Sequence, residues 1–127
     1  MLRSSALVHS PEKSGLFKAN SPFPDQSKIE LISHLVSKVF HVPVYMLFLA
    51  QRGKAHYALA RQVAMYLLHI CLGKSFSEIG RIFGRDRTTV SHACQLIEDK
   101  RENFHMDWTL SLLEQSVSAL LTQMRGE

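Results

Sequence analysis

The sequence lacks the features that mark disulfide-rich, membrane-spanning and secreted proteins. Its 127 residues include only two cysteines, Cys71 and Cys94, which are too few for a disulfide framework. No stretch approaches the roughly 20 uninterrupted apolar residues of a membrane span. The N-terminus lacks the apolar run and small-residue cleavage site of a secretion signal. These absences predict one soluble cytoplasmic domain, with no membrane partner and with both cysteines reduced in its core.

Acidic residues are missing from the middle of the chain, between Glu30 and Glu78. The same interval carries five basic residues, which are Lys38, Arg52, Lys54, Arg61 and Lys74. The net charge is only +4, so the distribution of charge is more informative than its total. If the interval folds onto one surface, that surface attracts a phosphate backbone. Charge alone leaves a solvated basic face without a partner equally open.

The alternation of apolar and polar residues that marks β-strands is also missing. Residues 1–26 are rich in Ser, Pro and Lys, show no periodicity, and are predicted to form a flexible tail. Residues 27–125 are predicted to form an all-α domain of about six helices. Its first helix is expected to begin at a capping box of Ser27 and Glu30, and a long helix is expected from about Ala55 to Leu72.

A final amphipathic helix carries six apolar residues at helical spacing, which are Leu110, Leu113, Val117, Leu120, Leu121 and Met124. A stripe of this kind usually covers the core of its own chain. It can also form a homodimer contact between two copies, and the sequence leaves both interpretations open.

Residues 76–101 are predicted to form two helices joined by a tight turn. The first helix has a double start signal, because Ser75 can cap the free backbone N–H groups and Glu78 can reach back to the cap. Gly84 ends that helix, since glycine takes the left-handed conformation of a helix C-terminus at no steric cost. Asp86 is placed to cap the second helix. The second helix then has an apolar stripe for the core, formed by Val90, Ala93, Cys94 and Ile97.

The opposite face of the second helix is polar. It carries Arg87, Thr88, Ser91, His92 and Gln95. These side chains can form hydrogen bonds with base edges or phosphates, and no large apolar residue among them obstructs entry into a DNA groove. The pattern predicts a helix-turn-helix that binds double-stranded DNA.

Six short segments form a more specific pattern, and they are Arg61-Gln62-Val63-Ala64-Met65-Tyr66-Leu67, Glu78-Ile79-Gly80, Phe83-Gly84-Arg85-Asp86, Thr88-Thr89-Val90, His92-Ala93 and Ile97-Glu98. Across about residues 28 to 105, their order and spacing resemble the C-terminal DNA-binding domain of the DnaA replication-initiator family. A match of several segments is far more specific than a generic helix-turn-helix pattern. The resemblance implies sequence-specific binding to short duplex boxes, in the regulation of replication origins or promoters.

The resemblance also implies which residues contact DNA. In that family a basic loop before the long helix enters the minor groove, the start of the long helix touches the backbone, and the second helix of the helix-turn-helix faces the major groove or its flanking phosphates. The matching positions here are Arg52 and Lys54 in the loop, Arg61 and Gln62 in the long helix, and Arg85, Asp86, Arg87, Thr88, Thr89 and His92 around the turn and second helix.

Three positions depart from the family's pattern. The family usually has two glycines where this chain has Gly84 alone, so the turn is one residue shorter and the recognition helix is expected to be re-aimed. Arg87 stands where the family has histidine, and an arginine favours bidentate contact with guanine, worth about 1–3 kcal/mol against a wrong base. Gly53 replaces the loop's usual arginine, which weakens or shifts minor-groove reading. A changed DNA target is therefore expected.

Other chemistry has weaker support in the residues. Leu72-Gly73-Lys74-Ser75 ends like a phosphate-binding loop, but Leu68 stands where the first glycine belongs and the segment follows a helix, so no nucleotide is expected. A spacing of two residues puts His69 and Cys71 about 200° apart on a helix, as it does His92 and Cys94. Neither pair converges on a metal, so no metal or other cofactor is expected. No nucleophile and base share a recognisable spacing, so no enzymatic activity is expected.

The stronger rival is a protein-interaction adaptor that keeps the fold and has lost DNA binding. The discriminating feature is whether one open face holds five residues, namely Arg61, Arg85, Arg87, Thr89 and His92. In an adaptor, neighbouring acids are expected to neutralise those cations, or other residues to cover them.

Overall fold

Helices make up all the regular structure in the residues that the computed structural model describes, which are 25–49 and 54–124. In chain order they are α1 (Asp25–Phe40), α2 (Val44–Phe48), α3 (Ala55–Leu72), α4 (Phe76–Phe83), α5 (Arg87–Lys100) and α6 (Phe104–Met124). Neither of these two ranges contains a strand, and the predicted all-α class is confirmed. No helix in them is both long enough and apolar enough to cross a membrane.

The core is built around α3, which packs against each of the other five helices. From Ala60 to His69 every residue except Gln62 is buried. A helix that is surrounded on all sides needs apolar residues on more than one face. Cys94 of α5 lies in the same core, where burial raises the pKa of its thiol to about 12. The predicted core position is therefore present for Cys94, whereas Cys71 is half-buried.

The start of α1 corrects the sequence prediction. The helix begins at Asp25, so Ser27 lies inside its first turn and the predicted cap at Ser27 is wrong. A contact distant in sequence supports the earlier start, because the Asp25 carboxylate forms an ion pair with Lys74, just after the C-terminus of α3. The ammonium of Lys74 is thereby engaged by a carboxylate. The predicted tail, as far as residue 24, lies outside the described residues.

The α4–α5 pair has the local signals that the sequence predicts. Ser75 Oγ accepts a hydrogen bond from the backbone N–H of Glu78 at 3.1 Å, and the backbone N–H of Ser75 donates to Glu78 Oε1 at 2.9 Å. Gly84 ends α4 in the left-handed conformation with φ of 68°. The carboxylate of Asp86 then caps α5 by accepting from the N–H of Thr89 at 2.9 Å. The two helix starts and the turn are confirmed.

Gly80 has a role that the sequence pattern does not show. The carbonyl of Arg85, in the turn, folds back against α4 so closely that a Cβ atom on Gly80 would lie 2.4 Å from the Arg85 oxygen. The N–H of Arg85 also donates to the Gly80 carbonyl at 2.8 Å. Only glycine allows this approach, which fixes the turn, and with it the start of α5, against α4.

The last helix is held by its apolar stripe and by one buried arginine. The stripe residues that are buried in the core are Leu110, Leu113, Val117 and Leu121, which supports core cover for that face. Arg101 donates to Asp107 at 2.7 Å and to Glu114 at 2.5 Å, both on α6. It also donates to the hydroxyl of Tyr66 on α3 at 2.9 Å. Arg101 therefore joins the loop before α6 to α6 itself and to the central helix.

Candidate nucleic-acid interface

A groove between α3 and α5 brings most of the predicted DNA-binding residues together. Its volume is about 280 Å³, and the residues that line it are Ala58, Arg61, Gln62, Met65, Arg85, Thr89, His92, Ala93 and Leu96. We call this surface the α3–α5 groove. It contains two arginines, an amide, a hydroxyl and an imidazole, and each of these can donate a hydrogen bond to a phosphate oxygen. The geometry therefore suits an anion that approaches along the groove.

Arg61 lies at the base of the α3–α5 groove and is 6% exposed. Its Nε donates to the Leu47 carbonyl at 3.0 Å and its Nη2 donates to the Met46 carbonyl at 2.9 Å. Both carbonyls belong to α2, so Arg61 holds that short helix against α3. Burial lowers the pKa of Arg61, and the charge of Arg85 lowers it further. Arg61 is thus a rigid cation with a second cation beside it.

Arg85 occupies the turn of the helix-turn-helix and is half-buried. Its Nη2 donates to the Leu49 carbonyl at 3.3 Å, one residue beyond α2. No carboxylate among residues 25–49 and 54–124 forms an ion pair with Arg61, Arg85 or Arg87. The two groove arginines repel each other without a compensating acid in that part of the chain. A bound polyanion would relieve this repulsion.

The first turn of α5 projects into solvent. Arg87, Thr88 and Thr89 are all exposed there, and His92 follows one turn later, also exposed. Asp86 is exposed too, but its carboxylate is engaged in capping, and the hydrogen bonds from Thr89 lower its pKa. Arg87 and Thr88 lie at the end of the α3–α5 groove without lining it. Of the five residues that discriminate between DNA reader and adaptor, Arg85, Thr89 and His92 line the groove with accessible side chains and Arg87 is exposed outside it. Arg61 also lines the groove, but it is covered.

The loop before α3 is described only in part. Lys54 is exposed immediately before α3, and its Nζ lies 6.0 Å from the centre of the Tyr57 ring. Arg52 and Gly53 lie outside the described residues, so the predictions for them stay predictions. Lys54 is therefore an exposed cation immediately before the helix that forms one wall of the groove.

The histidines and cysteines considered as metal ligands do not lie close enough together to share a metal ion. Within residues 25–49 and 54–124, no three side chains of histidine, cysteine, aspartate or glutamate are close enough together to hold a metal ion. His69 instead makes a hydrogen bond through Nδ1 to the Lys74 carbonyl at 2.8 Å, and its ring packs on Phe76. His92 lies in the groove and Cys94 in the core, on different faces of α5.

Comparison with known families decides what this helix-turn-helix is. The family model described as the bacterial dnaA protein helix-turn-helix matches residues 29–97, from α1 to the end of the α5 core stripe. The chain belongs to this family. Membership supports DNA binding by the helix-turn-helix, which is a non-catalytic domain.

The curated relatives are replication initiators. The chromosomal replication initiator protein DnaA of Bordetella pertussis is 40% identical over 94 residues, which cover 72% of this chain and 20% of the initiator. The protein of the same name from Acinetobacter baumannii ATCC 17978 is 43% identical over 75 residues, or 58% of this chain and 16% of the initiator. This chain thus spans about a fifth of the length of the relatives that it matches.

One residue that lines the α3–α5 groove was not identified from the sequence. Leu96 is 42% exposed and lines the groove one helical turn after His92, at the i+4 position that shares its face. That spacing was the signal that could have found it. Gln95 is exposed on the polar face, as predicted, and its amide donates to Asp99 at 3.0 Å. The groove of this DnaA-type domain therefore ends in an apolar side chain.

Proposed function

We propose that this chain binds double-stranded DNA with sequence preference, at boxes like those of DnaA initiators in replication origins or promoters. The observation that carries the proposal is the pair of Arg61 and Arg85 in the α3–α5 groove, with Arg87 exposed at the start of α5 and no acidic partner for any of the three in the described part of the chain. Phosphate neutralisation supplies most of the affinity of such a surface. The first turn of α5 supplies the preference for sequence.

The roles divide by position. The exposed first turn of α5 suits the major groove, where Arg87 reads guanine and Thr88, Thr89 and His92 contact bases or phosphates. Gln62, Arg85 and Lys54 suit the phosphate backbone, as the matching residues of the family imply. The remaining two described positions have structural roles as well, because Asp86 caps α5 and Arg61 holds α2. Arg52 completes the proposed set.

The adaptor is the second candidate, and it is less well supported. Arg61 and Arg85 donate to carbonyls, but their charges repel each other, and in an adaptor an acid placed beside them would stabilise the fold. The absence of such an acid in residues 25–49 and 54–124 favours a polyanionic partner. We further propose that the protein works in the cytoplasm at the nucleoid, without enzymatic activity and without a bound nucleotide.

The test is binding of the full chain to duplex DNA at several salt concentrations. If about five cations meet phosphates, the logarithm of affinity falls against the logarithm of salt with a slope of about −4 to −5. Selection of duplexes from a random pool then gives the preferred box. A flat salt response, or no binding in dilute buffer, would refute DNA binding and leave the adaptor.

Substitutions separate base reading from general attraction. Arg87→Ala should relax preference at one base position, whereas Arg85→Ala should weaken binding to all sequences alike. Arg81→Ala is the matched control, because Arg81 is exposed on α4 and does not line the α3–α5 groove. Equal and uniform losses from Arg87→Ala and Arg85→Ala would contradict the division of roles.

A further inference from the structure

The outer face of α6 exposes three large apolar side chains. Phe104 is 75% exposed, Trp108 is 57% exposed and Leu112 is 43% exposed. They recur every four residues, so they form one stripe along the helix. This stripe is separate from the buried one of Leu110 and Leu113, which covers the core. We call it the outer stripe.

Within α6 the outer stripe has no unpaired charge beside it, and the nearest charged side chains, Lys100 and Glu102, precede the helix. The only charged residues in α6 are Asp107 and Glu114, and both pair with Arg101. The other exposed residues of the helix are neutral polar or small, and they are His105, Gln115, Ser116, Ser118, Ala119 and Gln123. A solvent-facing helix surface is usually rich in charge. Depletion of charge around aromatic residues is the compositional sign of the centre of a protein–protein contact.

This composition excludes several partners. DNA needs a cluster of cations, and α6 itself carries no lysine or arginine. A membrane surface is bound by helices whose polar face is rich in lysine and arginine, which α6 also lacks. A strongly charged protein would find no complementary charge. A second copy of the same neutral face is complementary, because a two-fold axis near Trp108 places Phe104 of each copy against Leu112 of the other.

We propose that two copies of this protein associate through the outer stripes of their α6 helices. The position of α6 fits this arrangement, because it packs mainly on α1 and α3, whereas α5 packs on α3 and α4. The α3–α5 groove therefore stays open in both copies. The positive charge of the chain opposes most other ways of joining two copies, and the neutral stripe minimises that repulsion.

The size of the surface sets the strength of the contact. From Phe104 to Ala119 the helix is about 23 Å long and about 10 Å wide, which gives a contact face of roughly 230 Å² per copy. The total of roughly 460 Å² is far below the range of about 1,200–2,000 Å² for stable complexes. The dimer should therefore be weak and should depend on concentration. If the proposed DNA binding is correct, two neighbouring boxes would raise the effective concentration and favour the dimer.

The only tryptophan of the chain, Trp108, lies in the middle of the outer stripe and reports on the contact directly. The experiment measures the mass of the full chain by sedimentation, and its tryptophan emission, from about 5 µM to about 500 µM without DNA. We expect the mass to approach that of a dimer while the emission shifts to shorter wavelength. Leu112→Glu should raise the dissociation constant at least about tenfold. Tyr45→Glu, on an exposed residue of α2, should leave it unchanged.

Three outcomes would overturn the proposal. A monomeric mass at all concentrations with water-exposed tryptophan emission means that the stripe has no partner copy. A monomeric mass with emission already at short wavelength means that another segment of the same chain covers Trp108. A dimer that Leu112→Glu leaves intact uses a different face. Because no DNA is present, failure of DNA binding would leave the result of this experiment standing, and the two proposals fail separately.

Discussion

Replacing Gly80 with alanine tests how the turn positions the recognition helix. An alanine Cβ would lie 2.4 Å from the Arg85 oxygen, whereas ordinary contact begins at 3.4 Å, so the carbonyl has to move by about 1 Å. Overpacking of this kind costs about 1–3 kcal/mol. Alanine regains about 0.5–1 kcal/mol through its higher helix propensity. We therefore expect Gly80→Ala to lower the free energy of unfolding by about 0.5–2 kcal/mol, or Tm by roughly 2–16 °C.

The same displacement should also reach DNA binding. Arg85 immediately precedes Asp86, the cap of α5, so a moved carbonyl shifts the first turn that carries Arg87. Loss of one well-placed base contact costs about 1–3 kcal/mol, or roughly 5- to 150-fold in affinity. Titration of labelled duplex well below Tm measures this loss in folded protein.

The matched control is Ser77→Ala, because Ser77 is exposed in the same helix and gains helix propensity without a clash. It should keep both stability and affinity. If Gly80→Ala is as stable as Ser77→Ala and binds as tightly as the parent, the close approach of the Arg85 carbonyl does not control the turn, and the reasoning is wrong.

Three further substitutions probe single interactions. Hydrogen bonds from Thr89 lower the pKa of Asp86, so the stability that they give is present above a pH of about 3.8 and is lost as the pH falls through the folded pKa. Asp86→Asn keeps a capping side chain that does not titrate. In urea unfolding, the stabilities of the wild type and of Asp86→Asn should therefore converge at acid pH. Arg61→Lys keeps the charge but not both hydrogen bonds to α2, so it should cost about 1–2 kcal/mol in urea unfolding and leave the salt slope of DNA binding unchanged. Arg61→Met should in addition make that slope shallower by about 1, and an identical slope would show that Arg61 does not act on DNA through its charge. Tyr66→Phe removes the hydroxyl that donates to Glu98 at 2.5 Å and should cost about 1–3 kcal/mol. Burial and that bond raise the pKa of Tyr66 above its usual 10.0, so wild-type stability should fall as pH rises beyond about 10, and thermal melts of Tyr66→Phe should lack that part of the loss.

Local signals in the sequence were sufficient where a feature depends on neighbouring residues. The capping box of Ser75 and Glu78, the Gly84 stop and the Asp86 cap each involve atoms within four residues, and all are present as predicted. The Ser27 cap failed because a contact from Lys74, far along the chain, extends α1 to Asp25. Local spacing contains no information about such a contact.

The site shows the same limit. The family's pattern assigned Arg61 to the DNA contacts. Only the packing of α2 on α3 shows that its guanidinium also donates hydrogen bonds to two backbone carbonyls of α2. The outer stripe is a similar case. Apolar residues surround much of α6, so periodicity identified one stripe, Leu110 onward, as the candidate for either core or dimer. Which face stays uncovered depends on where α1 and α3 lie, and Trp108 is on the uncovered one.

The central helix has two duties whose demands differ. One side of α3 fills the interior, and another forms a wall of the groove through Arg61 and Gln62. A substitution on the buried side of α3 would change the orientation of the helix and move Arg61 and Gln62. The α3 side of the groove is therefore constrained by the packing of the core. Arg87 and Thr88, at the start of α5, are free of that restriction because both side chains are exposed. New target preferences should therefore arise by exchange at the tip of α5, while the grip on the sugar-phosphate chain stays the same.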